Sequence, residues 1–212
     1  MKSLQAKLTA AMLTLLFGSL IVLSGLNYWK ASSLLVGESK DKLFVQVKGS
    51  ADGVGEWIAG RQTEVVVLAT ADVVKSGNKR EIQKYLANIH TANPMYDDLI
   101  FADVNGDFIS DEGKTGNVKE REHFKNAMQG KTYISDPFVS ETTGEGIVAF
   151  AVPVLSNGKI VGEMVGGVKL SSLSEKVLAQ KSGKKGFTFL SQKDGLIIIH
   201  PNQEYSLKYN AL

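Results

Sequence analysis

The stretch YDDLIFADVNGDFIS, from Tyr96 to Ser110, indicates most clearly which fold this chain adopts. Two apolar runs flank an Asn-Gly pair at Asn105–Gly106, which is the pattern of a β-hairpin. Its DVNGD segment is rich in oxygen ligands and could also suggest calcium, but it lacks the distal glutamate of an EF-hand loop. Tight turns favour the same residue types. We therefore interpret the segment as a hairpin turn.

A charged amphipathic segment follows the hairpin and predicts a helix. Asn117 and Glu120 match a capping box at its start, and Gly130 matches its end. Three strand-like runs come next, the last two joined by a second hairpin turn at Asn157–Gly158. The runs are Tyr133–Val139, Ile147–Val154 and Ile160–Leu170. Two strands, a helix and three strands predict a compact antiparallel α+β unit.

The N-terminal segment from Leu8 to Trp29 contains no charged residue. As a helix it would measure about 33 Å, enough to cross the hydrocarbon core of a membrane. Lys2 and Lys7 precede it, which favours a cytoplasmic N-terminus. A cleaved signal peptide is the alternative, but its apolar core would be unusually long and no Ala-x-Ala-like site follows closely. We expect an uncleaved transmembrane anchor, with the residues after Lys30 outside the cytoplasm.

Apolar residues continue at helical spacing beyond the anchor and predict one long amphipathic helix to about Ala71. Its glycines, Gly49, Gly53, Gly55 and Gly60, predict a bend or break in that region. A further helix is expected from Lys79 to Asn93, before Pro94, and a connecting helix from Leu173 to Gln180. The segment FTFLSQKDGLIIIHP then repeats the strand–turn–strand plan of the first hairpin. The chain reaches Leu212 before this second unit could complete its sheet, so we expect the unit to be truncated.

Composition argues against several classes of function. The chain has 212 residues, no cysteine and a formal net charge of +2, so neither thiolate chemistry nor a broad basic surface for nucleic acid is expected. The three histidines do not lie at metal-ligand spacing. The acid pairs Asp97–Asp98 and Asp111–Glu112 lie beside turns, and we expect them to be solvated. We predict no catalytic residues, no metal site and no cofactor.

Arg121 is the residue whose position suggests a function. It lies near the start of the predicted helix, where a cation is unfavourable for the helix dipole but free N–H groups attract an anion. A guanidinium also matches a carboxylate in geometry. Arg121 could therefore bind an anionic or zwitterionic ligand, with His123 and Phe124 as neighbours. An ion pair to Glu120, Glu122 or Asp111, or a snorkelling surface arginine, remains an alternative.

Three segments resemble the double Cache sensor domain of bacterial methyl-accepting chemotaxis proteins, sensor histidine kinases and diguanylate cyclases. They are REHFKNAMQGKTYISDPFVSETTGEGIVAFAVPV, GKIVGEMVGGVKLSSL and GFTFLSQKDGLIIIHP, and the likeness covers nearly the entire chain. The resemblance implies a membrane-distal, PAS-like sheet module that binds a small ligand. A second PAS-like module would lie closer to the membrane.

The resemblance also implies ligand-binding residues. The family's helix motif, Arg-x-aromatic-aromatic, falls on Arg121, His123 and Phe124, so the arginine is present while histidine and phenylalanine replace the expected tryptophan and tyrosine. The family's two acids for a ligand amine fall on Gly167 and Ser140, which favours a carboxylate ligand without an amine. The residues expected at the site are Arg121, His123, Phe124, Tyr133, Asp136, Ser140 and Lys169.

From the anchor, the long helix and the resemblance we expect five segments. They are residues 1–7 as cytoplasmic N-terminus, 8–29 as transmembrane helix, 30–75 as signalling helix, 76–172 as distal module, and 173–212 as linker and incomplete proximal module. The expected function is the extracytoplasmic sensor of a chemotaxis receptor in the cell membrane, binding an organic acid or amino acid. A kinase or cyclase input domain is the alternative, and an anchored extracellular enzyme ranks below both. We also expect a homodimer with contacts through Leu43, Val47, Val54 and Ile58, and cytoplasmic partners that contact only parts beyond Leu212.

Overall fold

In a computed structural model of the chain, the described residues are 4–140, 143–179 and 186–212. They form two compact units, Met1–Gly49 and Ser50–Leu212. The helices are α1 Leu4–Thr70, α2 Asp72–Lys75, α3 Lys79–Ala92, α4 Glu122–Ala127 and α5 Ser171–Leu178, with a short 3-10 turn at Gln203–Tyr205. The strands are β1 Tyr96–Asp103, β2 Asp107–Ser110, β3 Thr115–Asn117, β4 Tyr133–Ile134, β5 Phe138–Val139, β6 Gly146–Ser156, β7 Lys159–Lys169, β8 Leu190–Ser191 and β9 Ile197–Ile199.

Helix α1 is continuous over 67 residues and is long and apolar enough in its N-terminal part to cross a membrane. It runs unbroken through Gly49, Gly53, Gly55 and Gly60, so the break expected there does not occur. Each glycine weakens a helix by only about 1 kcal/mol. In the second unit, packing of side chains such as Trp57 into the core outweighs that cost.

The main sheet is antiparallel and has seven strands, in the order β3-β2-β1-β7-β6-β4, with β5 also paired to β6. Both predicted hairpin turns are present. Gly106 has a φ of 85°, and Asn157 and Gly158 have φ of 51° and 75°, the backbone that Asn-Gly turns provide. The predicted run Tyr133–Val139 divides into two short strands, β4 and β5.

One face of the sheet packs against the C-terminal part of α1 and against α2 and α3. Trp57 and Val65 of α1 meet Leu99 and Phe101 of β1 in this core, and the Trp57 ring lies edge-on, 6.3 Å from that of Phe150. Of the side chains expected to mediate dimer contacts, Val54 and Ile58 pack on this core, whereas Leu43 and Val47 are exposed. The face proposed for a dimer is therefore partly occupied by the chain's own sheet.

The predicted capping box at Asn117 is wrong. Helix α4 begins five residues later, at Glu122, with Arg121 as its N-cap. Asn117 instead ends strand β3, where its side-chain amide donates to Asp107 and its oxygen accepts the N–H of Lys119. The predicted stop at Gly130 is confirmed, since its φ of 77° places it in the left-handed conformation that ends helices.

The remaining predicted elements fall close to their observed positions. Asn78 caps α3 by accepting the N–H of Glu81. The C-terminal hairpin β8–β9 repeats the plan of β1–β2, with Gly195 at a φ of 92° in the place of Gly106. The expected end of the connecting helix, Gln180, lies outside the described residues, as does most of the glycine-rich segment 183–186.

Candidate ligand-binding site

A cavity of about 550 Å³ lies between helix α4 and the face of the main sheet that α1 leaves open. Residues alternate between the two faces of β1, so Leu99 and Phe101 enter the core while Asp98 and Ile100 line the cavity. Val165 of β7 and Ala149 of β6 add apolar surface. The volume suits a ligand of small-molecule size.

Four of the seven residues expected at the site line this cavity, namely Arg121, His123, Tyr133 and Ser140. The other three lie elsewhere. Phe124 is buried beneath α4 and anchors the helix. The Asp136 carboxylate accepts a hydrogen bond from the amide of Gln192, and Lys169 lines a separate groove of about 400 Å³ beside α3.

Arg121 is exposed at the N-cap of α4 and borders the cavity. It precedes the helix in an extended conformation, with φ −72° and ψ 143°. No carboxylate within residues 4–140, 143–179 and 186–212 forms an ion pair with it.

The three acids considered as partners for Arg121 are engaged elsewhere. Glu120 pairs with Lys125 at 3.0 Å, Glu122 accepts the Tyr133 hydroxyl at 3.4 Å, and Asp111 pairs with His90. The ion-pair alternative is therefore wrong.

The expectation that the acid pairs lie in solvent is wrong for Asp97 and Asp111 and confirmed for Glu112. Asp97 and Asp111 are each 4% exposed, whereas Glu112 is exposed and pairs with Lys114 at 2.6 Å. Asp111 accepts the N–H of Leu99 and pairs with His90. Asp97 and Asp98 lie within strand β1, whereas Asp111 and Glu112 lie in the turn directly after β2, where Asp111 is buried and Glu112 is exposed.

Asp97 joins strand β1 to the segment that follows β5. Its two carboxylate oxygens accept hydrogen bonds from the hydroxyls of Ser140, at 2.6 Å, and Thr143, at 2.5 Å. A β-bulge between Tyr96 and Asp98 places the two consecutive aspartates side by side at the cavity.

Asp98 lies directly opposite Gly167 of β7 in the strand register. A Cβ atom on residue 167 would lie 2.3 Å from Oδ1 of Asp98, so the carboxylate occupies the space that a side chain there would need. Burial raises the pKa of Asp98 to about 6, and the negative charges of Asp97 and Asp111 add to this effect, while the Gly167 N–H opposes it. A cation close to such a buried carboxylate would stabilise its ionised form.

These contacts change the interpretation of the two acids that the resemblance placed at Ser140 and Gly167. Asp97 contacts Ser140, and Asp98 contacts Gly167, so β1 supplies a carboxylate at each of the two places. Sequence reasoning missed both. The available signal was the Gly166–Gly167 pair inside a strand, since a glycine there often marks the close approach of another group.

The charge of the cavity lining is predominantly negative. Five carboxylates line it, from Asp97, Asp98, Asp111, Glu112 and Glu122, against the two fixed cations of Lys114 and Arg121. Lys114 is already paired with Glu112. Among the described residues no group of three or more histidine, aspartate or glutamate side chains is arranged to hold a metal ion. Such a lining favours a ligand that carries a positive group in addition to any carboxylate.

A family model described as a Cache domain matches residues 33–210. The chain belongs to the Cache domain family. This Cache domain is 22% identical to the methyl-accepting chemotaxis protein McpA of Bacillus subtilis over 96% of the chain and 32% of McpA. It spans between about a tenth and a third of the length of the curated receptors that it matches.

Two solved structures share the fold. The ligand-binding domain of the Pseudomonas aeruginosa amino acid chemoreceptor PctC, in complex with GABA, has a TM-score of 0.64 and 24% identity, covering 75% of this chain and 74% of that chain. The ligand-binding domain of the Pseudomonas fluorescens chemoreceptor CtaA, in complex with L-serine, has a TM-score of 0.61 and 22% identity, covering 76% and 71%. The predicted double Cache fold is therefore confirmed.

Proposed function

We propose that this Cache domain is the extracytoplasmic sensor of a methyl-accepting chemotaxis receptor and binds a small ligand that carries both a carboxylate and an ammonium group. Helix α1 anchors it through the apolar N-terminal part. Arg121 binds the ligand carboxylate and Asp98 binds the ligand ammonium. This assignment replaces the expectation of a carboxylate without an amine, which depended on the absence of acids near positions 140 and 167.

The observation that carries the proposal is the presence of Arg121 and Asp98 in one cavity, each without an oppositely charged side-chain partner among the described residues. A guanidinium and a carboxylate that do not pair with each other can satisfy the two ends of a zwitterion. The relatives support this choice, since PctC and CtaA were solved with GABA and L-serine, which are both zwitterions.

Strand β1 offers a physical route from the ligand to helix α1. Tyr96, close to Asp98 on β1, is 2% exposed, and its hydroxyl donates to Glu64 of α1 at 3.1 Å. Burial and the Glu64 carboxylate both raise the pKa of Tyr96, so the hydroxyl stays protonated as a donor. If β1 and α1 move together between two arrangements, a ligand that binds one arrangement more tightly raises the population of that arrangement. The size of the shift is set by the difference in ligand affinity between the two arrangements.

Calorimetric titration of the 212-residue chain in detergent micelles tests the ligand class. The probes are L-serine and GABA as zwitterions, acetate and succinate as carboxylates, and propylamine as an amine. We expect binding of at least one zwitterion and, at the same concentrations, of none of the probes whose charges are all of one sign. Equal affinity for acetate or propylamine would contradict the paired roles of Arg121 and Asp98.

The variant Arg121→Ala tests the carboxylate contact. Loss of a charge-assisted hydrogen bond to the ligand should weaken binding by about 10- to 100-fold. Because Arg121 is exposed, the free energy of unfolding should change by less than about 0.5 kcal/mol. The matched control is Arg80→Ala, which removes an exposed arginine of α3 outside the cavity and should bind as the parent chain does. The proposed carboxylate contact is wrong if both variants bind equally well.

A further inference from the structure

One wall of the ligand cavity is apolar and plays no part in the proposed ligand contacts. Phe108 of β2, Ile100 of β1 and Val118, directly after β3, line this wall. In the strand register Phe108 lies opposite Ala102 on one side and opposite Gly116 on the other. One large side chain therefore lies between two small cross-strand neighbours.

Sheet geometry brings the three apolar side chains together. Ile100 is two residues before Ala102 on β1, so it is a diagonal neighbour of Phe108 on the same face. Val118 is a diagonal neighbour as well, since its N–H donates to the Gly106 carbonyl at 2.9 Å and continues the register of β2 with β3. An aromatic ring reaches such neighbours across a sheet. Phe108, Ile100 and Val118 therefore form one apolar surface, the Phe108 wall.

The Phe108 ring leans over Gly116, toward the edge of the sheet. A Cβ atom on residue 116 would lie 2.7 Å from Cε1 and 3.1 Å from Cζ of Phe108. Gly116 lies in β3 and does not adopt a positive φ, so its backbone conformation does not require glycine. The ring requires it, because the ring occupies the space of the missing side chain. In this position the ring leaves the space over Ile100 to the cavity.

The separation of Asp98 from the Phe108 wall sets a length for the ligand. Ala102, which is level with Phe108, comes four residues after Asp98 on β1, and Phe108 lies one strand further over. At about 3.3 Å per residue and about 4.8 Å between strands, the Cα atoms of Asp98 and Phe108 are roughly 14 Å apart. A hydrogen bond of about 2.8 Å and a van der Waals contact of about 3.8 Å leave about 7 Å between the ligand ammonium and the tip of its side chain.

This length distinguishes between amino acids. From ordinary bond lengths, L-serine measures about 3 Å from its nitrogen to its hydroxyl, and L-phenylalanine about 6.5 Å from its nitrogen to the far carbon of its ring. L-serine is therefore too short to contact Asp98 and the Phe108 wall together, whereas L-phenylalanine is long enough. An aromatic side chain would also gain from contact between its ring and that of Phe108.

We propose that the Phe108 wall is the side-chain pocket of the ligand site and selects a zwitterion with a long apolar side chain, of the size of L-phenylalanine or L-methionine. Phe108 contacts the ligand side chain, and Gly116 is a positioning residue that acts through the Phe108 ring. This inference rests on the proposed function, because it takes the ligand ammonium to lie at Asp98.

Calorimetric titration of the 212-residue chain in detergent micelles with L-phenylalanine, L-methionine and L-serine tests the selectivity. In the parent chain L-phenylalanine and L-methionine should bind at least about tenfold more tightly than L-serine, since even one methylene group in an apolar pocket changes affinity by about tenfold or more. Equal or tighter binding of L-serine would overturn the proposal.

Two single variants and their combination test the roles of the two residues. Gly116→Ala should push the Phe108 ring away from β3 and into the cavity, and Phe108→Ala should remove the contact. Each should weaken L-phenylalanine binding by about tenfold and change L-serine binding by less than about twofold. The double variant should bind L-phenylalanine no worse than Phe108→Ala, because the first substitution then has no ring to displace. Additive losses, or equal losses for the two ligands, would overturn the proposal.

Two further variants separate the pocket from effects on folding. Gly55→Ala, at an exposed position of α1 where nothing lies within 4 Å of the added Cβ, is the matched control and should bind both ligands as the parent chain does. Phe108→Leu keeps an apolar side chain and should retain most of the selectivity. The ratio of the two affinities within one variant is compared, so a loss of stability that affects both ligands equally does not alter the result.

An uncharged probe separates this inference from the proposed function. Benzyl alcohol carries an aromatic ring but no charge for Arg121 or Asp98, and it should shift the NMR signals of the Gly116 and Val118 amides in the parent chain but not in Phe108→Ala. If no zwitterion binds while these shifts appear, the proposed function fails and the apolar pocket stands. If zwitterions bind and Arg121→Ala abolishes binding, but Phe108→Ala keeps the parent selectivity, only the present inference fails. If neither the zwitterions nor benzyl alcohol bind, both fail.

Discussion

The two charged walls of the cavity differ in how strongly the fold depends on them. The acidic wall belongs to β1, near the middle of the seven-stranded sheet, where Asp97 is 4% exposed and burial raises the pKa of Asp98. The basic wall is Arg121, exposed at the start of a six-residue helix. Charges on the acidic wall therefore affect the stability of the folded chain, whereas the charge on the basic wall is available to a ligand at little cost.

The acidic wall contains a second contrast, between adjacent residues. Asp97 is satisfied by two hydroxyl donors, while Asp98 receives only the backbone N–H of Gly167 among the contacts of the described residues. We infer that Asp97 stabilises the fold and that Asp98 binds the ligand. The predictions below test this division, starting with the largest effect.

Asp97→Ala should cause the largest loss of stability. The change removes the two hydrogen bonds from the hydroxyls of Ser140 and Thr143 to Asp97, which link β1 to the segment after β5. A hydrogen bond to a charged group contributes about 1.5–3 kcal/mol, and two are lost, so we expect the free energy of unfolding to fall by about 3 kcal/mol in urea titrations. Asp52→Ala, at an exposed position of α1, is the control and should cost less than about 1 kcal/mol. Equal losses in both variants would mean that Asp97 has no structural role.

Asp98→Asn should have the opposite effect on stability and should nearly abolish binding. The raised pKa, about 6 against an ordinary 3.8, corresponds to a penalty on the order of 2–3 kcal/mol for the ionised group at neutral pH. Removing the charge should raise the melting temperature of the ligand-free chain. Affinity for L-serine or GABA should fall about 30- to 100-fold, since the ammonium loses its counter-charge. A variant that is both less stable and unchanged in affinity would contradict the division between the two aspartates.

The dependence of stability on pH provides a third test. The pKa of Asp98 is higher in the folded chain than its ordinary value, so the unfolded chain releases this proton first as the pH rises. Its contribution to stability therefore decreases between about pH 4 and pH 6 and is constant above that range. The difference in unfolding free energy between the parent chain and Asp98→Asn isolates this contribution. We expect the difference to grow across that window; a difference that is constant with pH would mean that Asp98 is ionised as freely as in water.

Much of the fold could be predicted from the sequence because its signals are local. The Asn-Gly turns at Asn105–Gly106 and Asn157–Gly158 require φ values that few residues other than glycine and asparagine adopt, and both hairpins form where expected. The start of α4 was missed for a non-local reason: Asn117 bonds to Asp107 of the neighbouring strand instead of capping a helix. Capping patterns do not reveal such competition between partners.

The candidate site was predicted only in part, because its acidic wall depends on strand register. Arg121 and His123 lie within one short motif, whereas Asp98 meets Gly167 across 69 positions of sequence through the pairing of β1 with β7. Hydropathy places aspartates near turns in solvent. It cannot show that the β-bulge beside Tyr96 turns them toward a cavity.

Lys169→Ala should have the smallest effect and tests the boundary of the site. The sequence predicts Lys169 at the ligand site, but its side chain lines the separate groove beside α3 together with His90 and Glu112. Removing it should change the affinity for L-serine or GABA by less than about twofold, because a charge outside the cavity acts only through screened solvent. Calorimetric titration beside Arg121→Ala makes the comparison direct. A loss of affinity for Lys169→Ala as large as that for Arg121→Ala would show that the ligand reaches this groove. Asp111, which lines both the groove and the cavity, would then connect the two spaces instead of separating them.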